Sequence, residues 1–182
     1  MKRRYTIYGL FLITVLSFIS CDNQQSLQRY YIDSKENDSY ISLDIPSSIL
    51  QLKEGDTTEE IKDILKTIRK INFLGFQLTE ETKAEFLTEK AKVKGILKQT
   101  SYQELMRLNS GSAELMVKFL GAEDAIDEVV VYGSDKEKGF IVMRILGDEM
   151  NPAQIFKMLQ NINIDENNAG LEQLKGILSA VY

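Results

Sequence analysis

The period of the apolar residues changes after Thr100, and that change limits the folds open to this chain. Before it, Ile, Leu and Phe recur at helical spacing over long stretches; after it they alternate. In Ala113–Leu120, Leu115, Val117 and Phe119 point one way, and Glu114, Met116 and Lys118 the other. Tyr102–Leu108 precedes it across Asn109-Ser110-Gly111-Ser112, a hairpin turn by composition. Val129–Tyr132 and Phe140–Leu146 form a second hairpin around the stretch from Gly133 to Gly139. Ile141, Met143 and Ile145 make one face of its last strand. Two hairpins late in a chain with helices before and after them predict an α+β fold: an antiparallel sheet with helices packed on one face.

The earlier stretch supplies the remaining elements. Ile41, Leu43 and Ile45 alternate with Tyr40, Ser42 and Asp44, a half-buried strand that Pro46 ends. A short helical turn is predicted over Ser47–Leu52. Thr57-Thr58-Glu59-Glu60 reads as a capping box, and Ile61, Ile64, Leu65, Ile68 and Ile71 follow as a helical stripe. That helix runs into an apolar strand, Ile71–Gln77. Thr79-Glu80-Glu81 opens the next helix, with Ala84, Phe86, Leu87, Ala91, Val93, Ile96 and Leu97 as its buried side. Asn151-Pro152 starts another, since Asn caps well and Pro suits the first helical position. Its stripe is Ile155, Met158, Leu159 and Ile162, and a weaker helical pattern follows from Leu171 to Val181. The expected domain spans 39–162, with 163–182 a C-terminal helical tail.

Residues 1–20 have the three parts of a secretory signal: basic Lys2, Arg3 and Arg4, an apolar run from Leu10 to Ile19, and small Ser20. The run falls short of the ~20 apolar residues that cross a bilayer. Cys21, the chain's only cysteine, comes next, at the position where a bacterial lipoprotein signal is cleaved and its thiol acylated with a fatty acid such as palmitate. The plainer alternatives are an ordinary signal peptide or an uncleaved anchor with a chance cysteine. Residues 21–38 are polar with little periodicity and read as a flexible tether that would span roughly 20–25 Å. With one cysteine, no internal disulfide can form. The chain carries 22 basic and 27 acidic residues; without the three basic residues of the signal the balance is 19 against 27, or −8. Such a chain does not bind nucleic acid through a basic face. Lipid on Cys21, rather than charge, would hold it to a membrane.

The run Tyr102-Gln103-Glu104-Leu105-Met106-Arg107, a glycine turn, two hairpins, and Phe140-Ile141-Val142 through Gly147 into a final helix resembles the family catalogued as domain of unknown function 4252. The likeness covers about residues 39–162. It implies a small envelope lipoprotein of Bacteroidetes-type bacteria, and it carries over no catalytic or ligand residue.

Residue types narrow the chemistry further. There is no histidine, which removes Ser-His-Asp and Cys-His arrangements and the commonest metal ligand. Glu123, Asp124, Asp127 and Glu128 cluster between two strands; they could hold a hard cation through oxygen or form a solvated turn. Asp165, Asn167 and Gly170 match positions of a calcium loop, but Ala169 and Gly176 stand where ligands are required. Gly133, Gly139 and Gly147 read as turn glycines. Arg144 shares a face with Phe140 and Val142, and with Met116 nearby. That face is either an amphipathic binding surface or a second buried layer beneath the C-terminal helix, with Arg144 snorkelling outward. No catalytic, cofactor-binding or metal-ligating residue is assigned; Cys21 is the one modification site. The expected protein is a membrane-anchored envelope lipoprotein, at the outer membrane or a periplasmic face, acting as a non-enzymatic interaction module with an envelope protein as a possible partner. The alternative is a carboxylate-dependent hydrolase or a lipoprotein that binds a small ligand or cation.

Overall fold

In the computed structural model, residues 25–46 and 59–155 are described. The elements in chain order are α1 (Leu27–Ser34), β1 (Tyr40–Pro46), α2 (Glu59–Thr67), β2 (Ile68–Gln77), α3 (Lys83–Leu97), β3 (Gln103–Ser110), β4 (Ala113–Ala122), β5 (Ala125–Asp135) and β6 (Gly139–Met150). The strands form one antiparallel sheet in the order β1-β2-β6-β5-β4-β3. Strands β3 to β6 are a four-stranded meander, made of the two expected hairpins paired side by side. β2 then adds to β6, and β1 to β2.

The α+β class holds, but helices cover both faces of the sheet rather than one. On one face, α1 and α3 enclose Tyr40, Leu74, Phe76, Met116, Val130, Tyr132, Phe140 and Val142. On the other, Ile64 of α2 packs with Ile45, Ile71, Val117, Phe119, Val129, Val131 and Ile145. The physical reason lies in the central strands. Residues 71–76 of β2 are all buried, as are 128–135 of β5, a pattern that only a sheet covered on both sides produces. Each large apolar side chain so covered contributes about 1.5–3 kcal/mol.

Several local expectations shift. The helical stripe is shorter, because α2 ends at Thr67 and Ile68 and Ile71 belong to β2. Both are β-branched, and in the strand they gain partners on β6: Ile68 lies opposite Gly147 and Ile71 opposite Ile145. Gly147 is therefore no turn glycine. A Cβ there would run into the Thr67 carbonyl oxygen and the Met150 side chain, so it lets the end of α2 close on β6. Gly133 also sits inside a strand, opposite Ile141 and Leu115. Gly139 does start β6 from a turn, at φ 115°, with its α-carbon against the Phe76 carbonyl. In α3 only Phe86, Val93, Ile96 and Leu97 are buried; Ala84, Leu87 and Ala91 face solvent. Asn151 caps a helical turn as expected, its Oδ1 accepting from the amides of Ala153 and Gln154 at 3.0 and 3.2 Å. The turn over 47–52, Thr57 and Thr58 of the capping box, and the helical patterns beyond Ile155 lie outside the described residues, as do Cys21, the signal segment and Asp165–Gly170.

The largest change is at the N-terminus. Residues 27–34 are not a flexible tether but the docked helix α1. Ser26 caps it, its hydroxyl accepting from the Arg29 amide at 3.1 Å. Leu27, Tyr30, Tyr31 and Ser34, at i, i+3, i+4 and i+7, are buried against the sheet and α3.

Candidate functional site

On the face of the sheet that α1 covers, a row of side chains, polar on every strand but β5, crosses the sheet. Strand register places Asp44 of β1 opposite Asn72 of β2, and Asn72 opposite Arg144 of β6. Arg144 faces Val130 of β5, Val130 faces Lys118 of β4, and Lys118 faces Glu104 of β3. Glu128 lies two residues along β5 from Val130 and so shares its face. Asn72, Lys118, Glu128 and Arg144 are all buried.

Arg144 is the centre of the row. It is 3 % exposed and Glu128 4 % exposed. Its Nε donates to Glu128 Oε1 at 2.7 Å and its Nη2 to Oε2 at 3.0 Å, a bidentate fork. The third nitrogen, Nη1, donates to Gln28 Oε1 on α1 at 2.5 Å. The face of Arg144 is thus a second buried layer. Its cover among the described residues is α1 and α3, and Arg144 does not reach solvent as a snorkelling side chain would. Tyr102 stands beside the pair. Burial, then the charge of Glu128, pushes its phenol up to about 12, with Arg144 acting against them.

Two further clusters pin α1. Tyr31 Oη donates to Asp44 Oδ1 at 2.9 Å, and Asn72 Nδ2 donates to the same oxygen. Lys70 Nζ lies 3.3 Å from it. Partial burial acts to raise Asp44, but the hydrogen bonds from Tyr31, Lys70 and Asn72 and the charge of Lys70 outweigh it. The carboxyl is held below its usual value. The Tyr30 and Tyr40 phenol oxygens are 2.7 Å apart, and both reach Glu89 Oε2 on α3, at 2.9 and 2.8 Å. Lys92 Nζ holds the other Glu89 oxygen at 2.5 Å. Burial works to raise Glu89 as well, yet Lys92, Tyr40 and Tyr30 together bring it below its usual value. Burial, the largest influence on each, pushes the phenols of Tyr30, Tyr31 and Tyr40 well above theirs. Tyr132 and Ser134 are buried with hydroxyls short of hydrogen-bonding geometry. Ser134 still offsets part of the effect of burial on the Tyr132 phenol, which rises to about 12.

The acidic run seen in the sequence is divided by the fold. Glu123 and Asp124 occupy the exposed β4–β5 turn, Asp127 is exposed on β5, and Glu128 turns inward to Arg144. The solvated-turn reading therefore fails for Glu128. Its signal was parity: Glu128, Val130 and Tyr132 alternate together, and a hairpin pairing Asp135 with Gly139 brings Glu128 within reach of Arg144. Among the described residues, no three Asp or Glu side chains converge so as to hold a metal ion.

Surface features are few. β3 is an edge strand, and a bulge between Glu104 and Met106 interrupts its pairing. The bulge puts Glu104 and Arg107 on one face, where they form a bidentate pair at 3.1 and 2.6 Å. Leu105 and Leu108 on this strand are 40 % and 53 % exposed. Among the described residues no helix is long and apolar enough to cross a membrane.

No curated protein and no solved structure matches the chain. A protein family does. Its match covers residues 30–177, beginning inside α1 and so taking in more of the N-terminus than the hairpin motifs alone suggest. With most of its length matched, the chain belongs to the family described as Domain of unknown function (DUF4252).

Proposed function

We propose that this is a lipid-anchored protein of the cell envelope, held through Cys21 at the outer membrane or on a periplasmic face, whose folded domain is a non-enzymatic interaction module. The basic, apolar and small-residue series ending at Cys21 supports the anchor. The observation that carries the non-enzymatic reading is the commitment of the inward-facing acids. Glu128 is bound to Arg144, Asp44 to Tyr31, Asn72 and Lys70, and Glu89 to two phenols and Lys92. Asp44 and Glu89 are moved downward, the opposite of what a carboxyl acting as a general acid near neutrality needs. Leu105 and Leu108 offer apolar contact to a partner protein at the open side of the sheet.

Replacing Cys21 with Ser tests the anchor: acyl labelling should vanish and the protein should leave the membrane fraction. Persistence of both would reject the lipid. The module is tested by photo-crosslinkers at Leu105 and Leu108 in intact cells, with Lys62 on α2, which packs over β2 and β6 away from the β3 edge, as a control. One defined envelope protein captured from the first two sites and not from the third is the expected result. A hydrolytic activity lost in Glu128→Gln or Glu89→Gln, with the fold intact, would replace the interaction reading.

A further inference from the structure

We propose that the pole formed by the start of α1 and the end of α3 lies directly against the bilayer, with the phosphates of phospholipid headgroups as its partner. The inference rests on the lipid-anchor reading of Cys21. It follows from where the chain becomes fixed to the domain. The main-chain oxygen of Gln25 accepts from Gln99 Nε2 at 3.1 Å, and Ser26 caps α1 at the next residue. The chain is thus joined to the C-terminal end of α3 from residue 25 onward. Four residue steps separate Cys21 from Gln25, and whatever path they take they reach no further than about 14 Å. A flexible tether running to residue 38 would have let the domain stand clear and turn freely. The docked helix removes that freedom and selects one pole.

The surface at that pole suits the partner. An open depression of ≈ 380 Å³ is lined by Gln25, Lys92, Gly95, Ile96, Lys98 and Gln99. In a chain of net charge −5 this lining contains two lysines and no carboxylate. Glu89 holds Lys92 from the inner side, where it also binds Tyr30 and Tyr40. Lys98 has no ion-pair partner among the described residues, and Ala91, Gly95 and Lys98 present one exposed stripe. Lysines brought this close to headgroups by a covalent anchor bind them at high effective concentration, so a weak contact is enough to fix orientation.

The test uses the full chain processed in cells. Mass spectrometry of its N-terminal peptide reports whether Cys21 is acylated. Acylation consumes the only native thiol, so Ala91→Cys, or Lys62→Cys on the opposite face of the sheet, gives a unique site for a fluorophore. The labelled proteins are placed in nanodiscs of phosphatidylethanolamine and phosphatidylglycerol that carry a nitroxide on the headgroup. Quenching severalfold stronger at position 91 than at 62 is expected. The contrast should shrink in Lys92→Gln/Lys98→Gln, and should disappear when a long Gly-Ser linker is inserted after Gln24. Equal quenching at 91 and 62 on an acylated chain overturns the docking surface and leaves the anchor standing. An unchanged contrast in the double lysine variant overturns the headgroup phosphates as partner. An unmodified Cys21 overturns the anchor and the docking surface with it.

Discussion

Arg144 shows how much one buried side chain can demand of its surroundings. Its guanidinium is satisfied by a bidentate carboxylate and by Gln28, so the charge is stable only while all three remain together. Removing one partner leaves an uncompensated buried charge. Glu128→Ala should therefore cost about 3–5 kcal/mol in urea unfolding. The double change Arg144→Met with Glu128→Leu should cost much less, because it removes both charges and keeps the volume. The phenols give a second prediction at this scale. Tyr102 and Tyr132 are raised to about 12, and Tyr30, Tyr31 and Tyr40 are raised too. A raised folded value means that the unfolded chain loses its protons first. Stability should be level below about pH 10, the unperturbed tyrosine value, and fall as pH rises from there toward 12 and beyond. Denaturation midpoints measured against pH, with phenolate absorbance, check this. At the acid end the sign reverses. Asp44 and Glu89 are lowered, so their contribution is present above the ordinary carboxylate range and is lost as pH falls through their folded values.

Among the elements, α1 departs furthest from what its sequence suggests. Its tyrosines and Leu27 are spaced at i, i+3 and i+4, but eight residues are too few to form a helix in isolation. Burial under α3 and the bonds to Asp44, Glu89 and Arg144 supply what propensity does not. Trypsin should consequently spare the Arg29–Tyr30 bond in the native protein, although the Arg29 side chain is largely exposed. Rapid cleavage there, followed by mass analysis of the fragments, would return this segment to a tether. Two glycines make a paired prediction. Gly139→Ala forces a Cβ into the Phe76 carbonyl at a φ that alanine avoids, and should destabilise by more than about 1 kcal/mol. Gly95→Ala meets nothing in α3 and should stabilise by about 0.5–1 kcal/mol. Thermal unfolding of the two variants measures both signs.

At the scale of the whole molecule, the sequence by itself determined the hairpins, the helices α2 and α3 and the α+β class. Each of these depends on local periodicity and turn chemistry, which a linear chain displays directly. Leu115, Val117 and Phe119 had to share a face, and Gly111 and Asn151 had to turn and cap, whatever lay around them. What the tertiary structure alone decided is which faces are covered and which charges are paired. The mainly apolar run from Ile71 to Phe76, broken only by Asn72, was compatible with two-sided burial, but the periodicity could not say that α2 lies on one face while α1 and α3 lie on the other. Glu128 read as one of four acids in a turn because its partner, Arg144, is 16 residues away. Gln28, the third member, is 116 residues from Arg144, and no local signal links positions so far apart. Contacts of that separation are chosen by the energy of the assembled core, which removes water from all of them together and leaves each buried charge only the partners that the strand register brings to it.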